Sequence, residues 1–280
     1  MKKVLLIITT LFWLALTINA SKFVNLTPMP KHITVAEGAY KLPESYSINA
    51  KQLPDSICVE AEKFVQTILK TTGCKARITS KKKADIEMSL DTNLPNEGYK
   101  LSVTKKKIQI SASTTSGFFY AFQTIKKIMP AHVMAGLNPE QAQAIIPTFQ
   151  TDKRPTIPCV EIYDEPRFWY RGFMLDCGRH FFTVDEIKHI LDGMAMYKMN
   201  YFHWHLTEDQ GWRFEVKKYP RLTSIGSVAS DCRMNDMEKG YYWLGKPYGP
   251  FYYTQEDCRE IVEYARSLHI EVIPEIDMPG

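Results

Sequence analysis

Between residues 86 and 112 apolar and polar positions alternate in three short runs: Ile86-Met88-Leu90, Tyr99-Leu101-Val103 and Ile108-Ile110-Ala112. A period of two puts one face of each run against a core and reads as strand. Helical spacing flanks them, with Val59, Phe64, Val65, Ile68 and Leu69 before and Phe118, Phe119, Phe122, Ile125 and Met129 after. Pro28, Pro30 and Gly38 punctuate a strand-and-turn start. Helix, strands and helix make residues 21–150 a small α+β domain. It gathers no convergent polar chemistry, so its expected role is structural.

Residues 151–167, with Pro155, Pro158 and Pro166, read as a polar connection. Beyond it the pattern becomes strand, helix, strand, helix, strand. Tyr170 to Asp176 is the first strand. Thr183 to Glu186 is a capping box opening a helix with Val184, Ile187, Ile190, Leu191 and Met194 inward. Thr254 to Asp257 caps a second helix, and Glu271 to Glu275 is the third strand. The fold class expected is α/β: a small N-terminal α+β domain, then the first part, about three strands, of a TIM (β/α)8 barrel. Such a barrel takes roughly 250 residues, but only the 111 from Tyr170 to Gly280 follow. The barrel domain, 168–280, is therefore expected to be incomplete, with the chain continuing past Gly280.

The middle strand carries the chemistry. From Asn200 to Arg213, Tyr201, His203 and His205 fall on one face and Phe202, Trp204 and Leu206 on the other. The strand runs out into Glu208, Asp209, Gln210, Trp212 and Arg213. Barrel enzymes build their sites from groups delivered at the carboxyl ends of strands. The plainer reading is a strand followed by a polar turn.

Composition narrows the setting. A formal net charge of +4 does not argue for nucleic acid. Residues 1–20 read as a secretory signal, with Lys2-Lys3, an apolar run from Val4 to Leu16 and a small-residue site at Asn19-Ala20-Ser21. That run is too short for a membrane span. An exported, periplasmic or extracellular protein with no membrane span after signal removal is expected. Six cysteines permit disulfides but fit no metal spacing, and Cys177 reads as a small buried residue. Asn25-Leu26-Thr27 is a glycosylation sequon.

Three motifs, RGFMLDCGRHF from Arg171, HWHLTEDQGWR from His203 and PEIDMPG from Pro274, resemble the family 20 glycoside hydrolases, the β-N-acetylhexosaminidases. Glu97-Gly-Tyr99, Gly117 to Tyr120 and Gln123-Thr124 resemble that family's N-terminal domain. The resemblance implies release of a terminal β-linked N-acetylhexosamine from glycans or chito-oligosaccharides, without cofactor or metal. It also implies substrate assistance, an exception to the two-carboxylate scheme: the sugar's acetamido oxygen attacks the anomeric carbon while an acid protonates the leaving oxygen. By match to the family, Arg179 forks onto sugar hydroxyls. Asp209 is a relay carboxylate tuning the acid through a histidine expected after Gly280. Glu208 supports it. Trp212 is a stacking candidate on the sugar, or loop packing. Tyr241, Tyr242, Trp243, Tyr248 and Tyr252 are further stacking candidates or loop packing.

Competing readings remain beside these. Arg179 could pair with Asp176 at the strand end, and His203 and His205 could be satisfied core histidines. The family's adjacent Asp-Glu acid pair is missing: Asp164-Glu165 and Asp185-Glu186 are the only such dipeptides here, one in the linker and one in a helix cap. The 280-residue chain alone is thus expected to be inactive. Two other functions stand as alternatives: a metal-dependent barrel hydrolase using His203 and His205 with Asp176 or Asp277, and a non-catalytic sugar-binding fragment.

Overall fold

A computed structural model describes residues 26–148, 154–236, 238 and 240–278. The signal-like residues 1–20, Asn25 and the start of the linker lie outside the described residues. The chain divides into two compact units, one ending at Pro166 and one beginning at Arg167.

The first unit holds strands β1 (His32–Lys41), β2 (Ser45–Ile48), β3 (Lys75–Ile78), β4 (Ile86–Leu90), β5 (Tyr99–Val103), β6 (Ile108–Ala112) and β7 (Thr156–Asp164). They form one mixed sheet in the order β1-β7-β5-β6-β4-β2-β3. Helix α1 (Asp55–Thr72) packs on β3, and α2 (Thr115–Ile128) on β5, β6 and β7. The two helices meet through Phe64 and Phe122, whose rings stack at 4.6 Å. Gly73, at φ +78°, ends α1 in the left-handed region a side chain would strain. Two short helices, α3 (Ala131–Met134) and α4 (Pro139–Ile145), follow.

Residues 156–164 correct the expected connection. They are no linker but β7, paired to β1 on one side and β5 on the other, with Ile157, Val160 and Ile162 buried. Pro158 misled the sequence reading because proline removes a ladder donor. It sits beside a register break in β1 between Val35 and Ala39, where the ladder is already interrupted.

The second unit contains β8 (Gly172–Asp176), α5 (Val184–Met196), β9 (Tyr201–Glu208), β10 (Gly211–Trp212), α6 (Arg221–Ser224), β11 (Arg233–Asp236), β12 (Gly240–Trp243), α7 (Gln255–Ser267) and β13 (Glu271–Ile276). Strands β8, β9 and β13 are parallel, with β9 in the middle. Both expected capping boxes form, at Thr183 with Glu186 and at Thr254 with Asp257. A small α+β domain followed by the first strands of a (β/α) barrel is the architecture.

Strand β9 divides its side chains cleanly. Phe202, Trp204 and Leu206 are buried, and the Trp204 indole meets the Tyr253 ring edge-on at 4.8 Å and donates to the Cys177 sulfur at 3.3 Å. Cys177 is buried, and no disulfide joins any of the six cysteines, all of which lie among the described residues. On the other face, register groups residues from all three strands: Met174, His203 and Ile273 in one row, Asp176, His205 and Glu275 in the next. Among the described residues no helix is long and apolar enough to cross a membrane.

Candidate active site at the strand ends

The polar cluster forms where β8 ends opposite His205, β13 ends opposite Thr207 and β9 runs on to Glu208. Asp176 is the last residue of β8. The chain then turns through Cys177 and Gly178 and brings Arg179 back over the strand end, its backbone N–H donating to Asp176 Oδ1 at 3.1 Å. Gly178 has to be glycine for this approach: a Cβ there would lie 2.8 Å from the Glu208 Cβ.

Arg179 is held from three sides. Its Nη1 reaches Asp176 Oδ2 at 2.8 Å, Nη2 reaches Glu208 Oε2 at 2.5 Å, and Nε donates to Gln210 Oε1 at 3.0 Å. The pair with Asp176 weighed as a competing reading therefore exists. It coexists with a side chain still about half exposed, at 51%. A guanidinium has five N–H groups, so some remain for another acceptor. Burial alone would lower the Arg179 pKa, but Asp176, Glu208 and Asp209 outweigh it and hold the group charged.

His205 and His203 both turn to Glu275. Glu275 Oε2 lies 2.9 Å from His205 Nδ1 and 2.5 Å from His203 Nε2. The other nitrogen of His205, Nε2, is 3.3 Å from Glu208 Oε2 and 3.5 Å from Arg179 Nη1. Burial pushes the His205 pKa down, but the hydrogen bond and charge of Glu275, with Asp176 beyond, carry it above the usual histidine value. The His205 contact holds the Glu275 carboxyl below its ordinary range. Glu275 is a site residue the sequence reading passed over. Its signal was the register of β13 against β9, which spacing alone does not fix.

The remaining expected residues divide. Asp209 sits exposed on the β9–β10 turn, and its carboxylate makes no hydrogen bond or ion pair among the described residues. Trp212 turns its indole N–H onto the Phe214 carbonyl at 2.5 Å and does not meet Arg179. Instead Trp243 and Tyr248, with Gln210 and Arg233, line a cavity of about 330 Å³ beside Arg179. Tyr241 lies under the Arg233 guanidinium at 4.5 Å.

Arg213, given no role beforehand, is the structural centre of these loops. It is wholly buried, and its guanidinium donates to four backbone carbonyls: Cys177 at 3.1 Å, Gly178 at 3.0 Å, Ser227 at 2.8 Å and Phe251 at 2.9 Å. Burial pushes its pKa below the usual arginine value.

A metal reading needed His203 and His205 to offer nitrogens to one point. Both give a nitrogen to Glu275 instead. Among the described residues, the group whose donor atoms come within 4.8 Å is His205, Glu208 and Asp277. The Arg179 guanidinium already neutralises Glu208 there, so a cation would have to compete with a fixed positive charge.

Parallel strands whose carboxyl ends gather carboxylates, histidines and an anchored arginine form the kind of face on which (β/α) barrels carry their sites. The chain belongs to glycosyl hydrolase family 20: the family's catalytic domain matches residues 168–280, and its domain 2 matches residues 24–165. A beta-hexosaminidase of Porphyromonas gingivalis is 39% identical over 272 residues, covering 92% of this chain and 31% of the relative. One of Vibrio furnissii is 34% identical over 264 residues, covering 91% and 38%. A GH20 exo beta-N-acetylglucosaminidase of Vibrio harveyi, solved with N-acetylglucosamine, aligns with TM-score 0.73 at 31% identity, over 91% of this chain and 36% of that one. A Streptomyces plicatus N-acetyl-beta-hexosaminidase aligns with TM-score 0.74 at 30% identity, over 91% and 46%. The chain thus spans about a third of the curated relatives it matches.

Proposed function

We propose that this chain supplies the sugar-anchoring part of an exported, exo-acting β-N-acetylhexosaminidase. Its substrates are glycans or chito-oligosaccharides ending in a β-linked N-acetylhexosamine. The observation that carries the reading is Arg179: half exposed at the strand ends, fixed by Asp176, Glu208 and Gln210, with an Nη2 N–H left for a sugar hydroxyl. Family membership supplies the reaction class.

In this reading the substrate's acetamido oxygen attacks the anomeric carbon, and an acid protonates the departing oxygen. Arg179 holds the ring so that this attack is intramolecular, which removes most of its entropic barrier. Asp209, free on its turn, is the relay carboxylate that sets the acid's proton affinity through a histidine. In this reading the residues described here anchor the sugar, while the acid and the acetamido-orienting carboxylate that the family resemblance implies match no adjacent Asp-Glu pair at the described strand ends of the second unit.

The test is release of nitrophenol from p-nitrophenyl N-acetyl-β-D-glucosaminide. Residues 21–280 should show no turnover above an Asp209→Ala control. Protein from the whole reading frame should turn over with chelator present, and Arg179→Lys in it should raise KM. Absence of N-acetylhexosamine release by that protein would sink the reading.

A further inference from the structure

The row Asp176, His205, Glu275 sets a base between two acids on three adjacent strands. Glu275 Oε2 is within hydrogen-bond distance of both His205 Nδ1 and His203 Nε2. A carboxylate can only accept, so both nitrogens carry hydrogen. That fixes the His205 ring. With Nδ1–H committed to β13, Nε2 faces back toward Glu208 and Arg179. His205 is 3% exposed, so no water replaces these partners if the ring turns.

We propose that Glu275 is a positioning residue for Arg179, acting through the imidazole of His205. The inference rests on the reading of Arg179 as the sugar anchor. Glu275 itself contacts the two histidines and needs no contact with sugar. The chain of contacts runs from β13 across β9 to the loop after β8, so each strand of the sheet constrains the guanidinium.

The two states of His205 act differently on that guanidinium. Neutral, Nε2 accepts from Arg179 Nη1 and adds a fourth hold to those of Asp176, Glu208 and Gln210. Protonated, Nε2–H donates to Glu208 Oε2 and competes with Arg179 for the same oxygen. The charged groups facing the ring are Glu275 on β13, Asp277 just after it, Asp176 and Arg179 from β8 and its loop, and Glu208 and His203 on β9. Carboxylates outnumber cations among them. Glu275 is the one bonded to Nδ1, so it chooses the tautomer that leaves Nε2 free to act.

The experiment uses protein from the whole reading frame in four forms: wild type, Glu275→Gln, His205→Gln and the double variant. His205→Gln keeps an amide nitrogen near the Nε2 position but loses the bond to Glu275. In Glu275→Gln, nuclear magnetic resonance should show the His205 pKa falling and the Arg179 Nε–H signal losing protection. Affinity for N-acetylglucosamine should weaken roughly tenfold, the worth of one charge-assisted hydrogen bond, with kcat changed far less than KM. The double variant should be no worse than His205→Gln alone. A purely structural role predicts additive losses and a lowered unfolding midpoint instead. The proposal is overturned if the effects add, or if Arg179 Nε–H keeps its protection while the His205 pKa falls. The anchor reading fails separately, if Arg179→Ala leaves sugar affinity unchanged.

Discussion

The guanidinium of Arg213 donates to the carbonyl oxygen of Gly178 at 3.0 Å, across 35 residues of chain and with no solvent contact. Gly178 is the turn that returns Arg179 over the strand end, so the arginine proposed as the sugar anchor stands on a turn that a second arginine holds from beneath. The two share a motif family and nothing else. Arg179 is half exposed and paired to carboxylates, whereas Arg213 is buried and paired only to peptide oxygens.

Replacing Arg213 by Met should therefore cost stability heavily. The carbonyls of Cys177, Gly178, Ser227 and Phe251 would lose this donor, though Ser227 keeps the Phe251 N–H, and a buried carbonyl left unsatisfied costs about 1–3 kcal/mol. Partial relaxation brings the expected loss to roughly 3 kcal/mol or more. Denaturant unfolding would measure it. A loss below about 1 kcal/mol would mean water or other donors replace the guanidinium.

Gly178→Ala tests the close approach to Glu208. The new methyl would lie 2.8 Å from the Glu208 Cβ, inside contact distance. Glu208 has to retreat, opening its ion pair with Arg179, at a cost of about 1–3 kcal/mol typical of overpacking. The expected result is a lower unfolding midpoint together with weaker N-acetylglucosamine binding. Unchanged binding would separate Glu208 from the anchor.

Stability should depend on pH in a window set by two groups. Glu275 has a lowered pKa in the fold, so its contribution is present above the unfolded carboxyl value and lost as pH falls through the folded one. His205 has a raised pKa, so its contribution is complete below the unfolded histidine value and lost as pH rises through the folded one. The wild type should gain most over Glu275→Gln between those limits. Unfolding free energies from pH 4 to 8 would show the difference as a dome. A flat difference would refute the linkage.

Phe64→Ala addresses the first unit. Phe64 is buried and stacked on Phe122, so the cavity should cost about 3–5 kcal/mol. Calorimetry would show whether that unit alone destabilises.

Much of this arrangement was legible from periodicity. The alternation in β4, β5 and β6 and the spacing in α1 and α2 gave those elements nearly whole, because their apolar residues repeat with the element's own period, although Val59, Leu69 and Leu90 are exposed and α2 is buried all round from Gly117 to Ile125. The strand β9 and both capping boxes were readable for the same reason. Residues 156–164 were not, since Pro158 removes a donor where β1 happens to be bulged, a compensation visible only in the partner strand. The site divided along the same line. Arg179 and Glu208 were found as groups at a strand end, while Glu275 needed the register of β13, and Arg213 needed the return of three loops. For Trp212 the sequence could not show that its indole N–H finds the Phe214 carbonyl, because proximity to Asp209 says nothing of where that N–H finds its acceptor.

The row Asp176, His205, Glu275 also bears on how the sheet assembles. Were β8 to pair directly with β13 at the same level, two carboxylates would face each other, an arrangement that opposes pairing. With β9 between them, Glu275 meets the imidazole and Asp176 pairs with Arg179. The charges at the strand ends thereby favour an order with β9 in the central place.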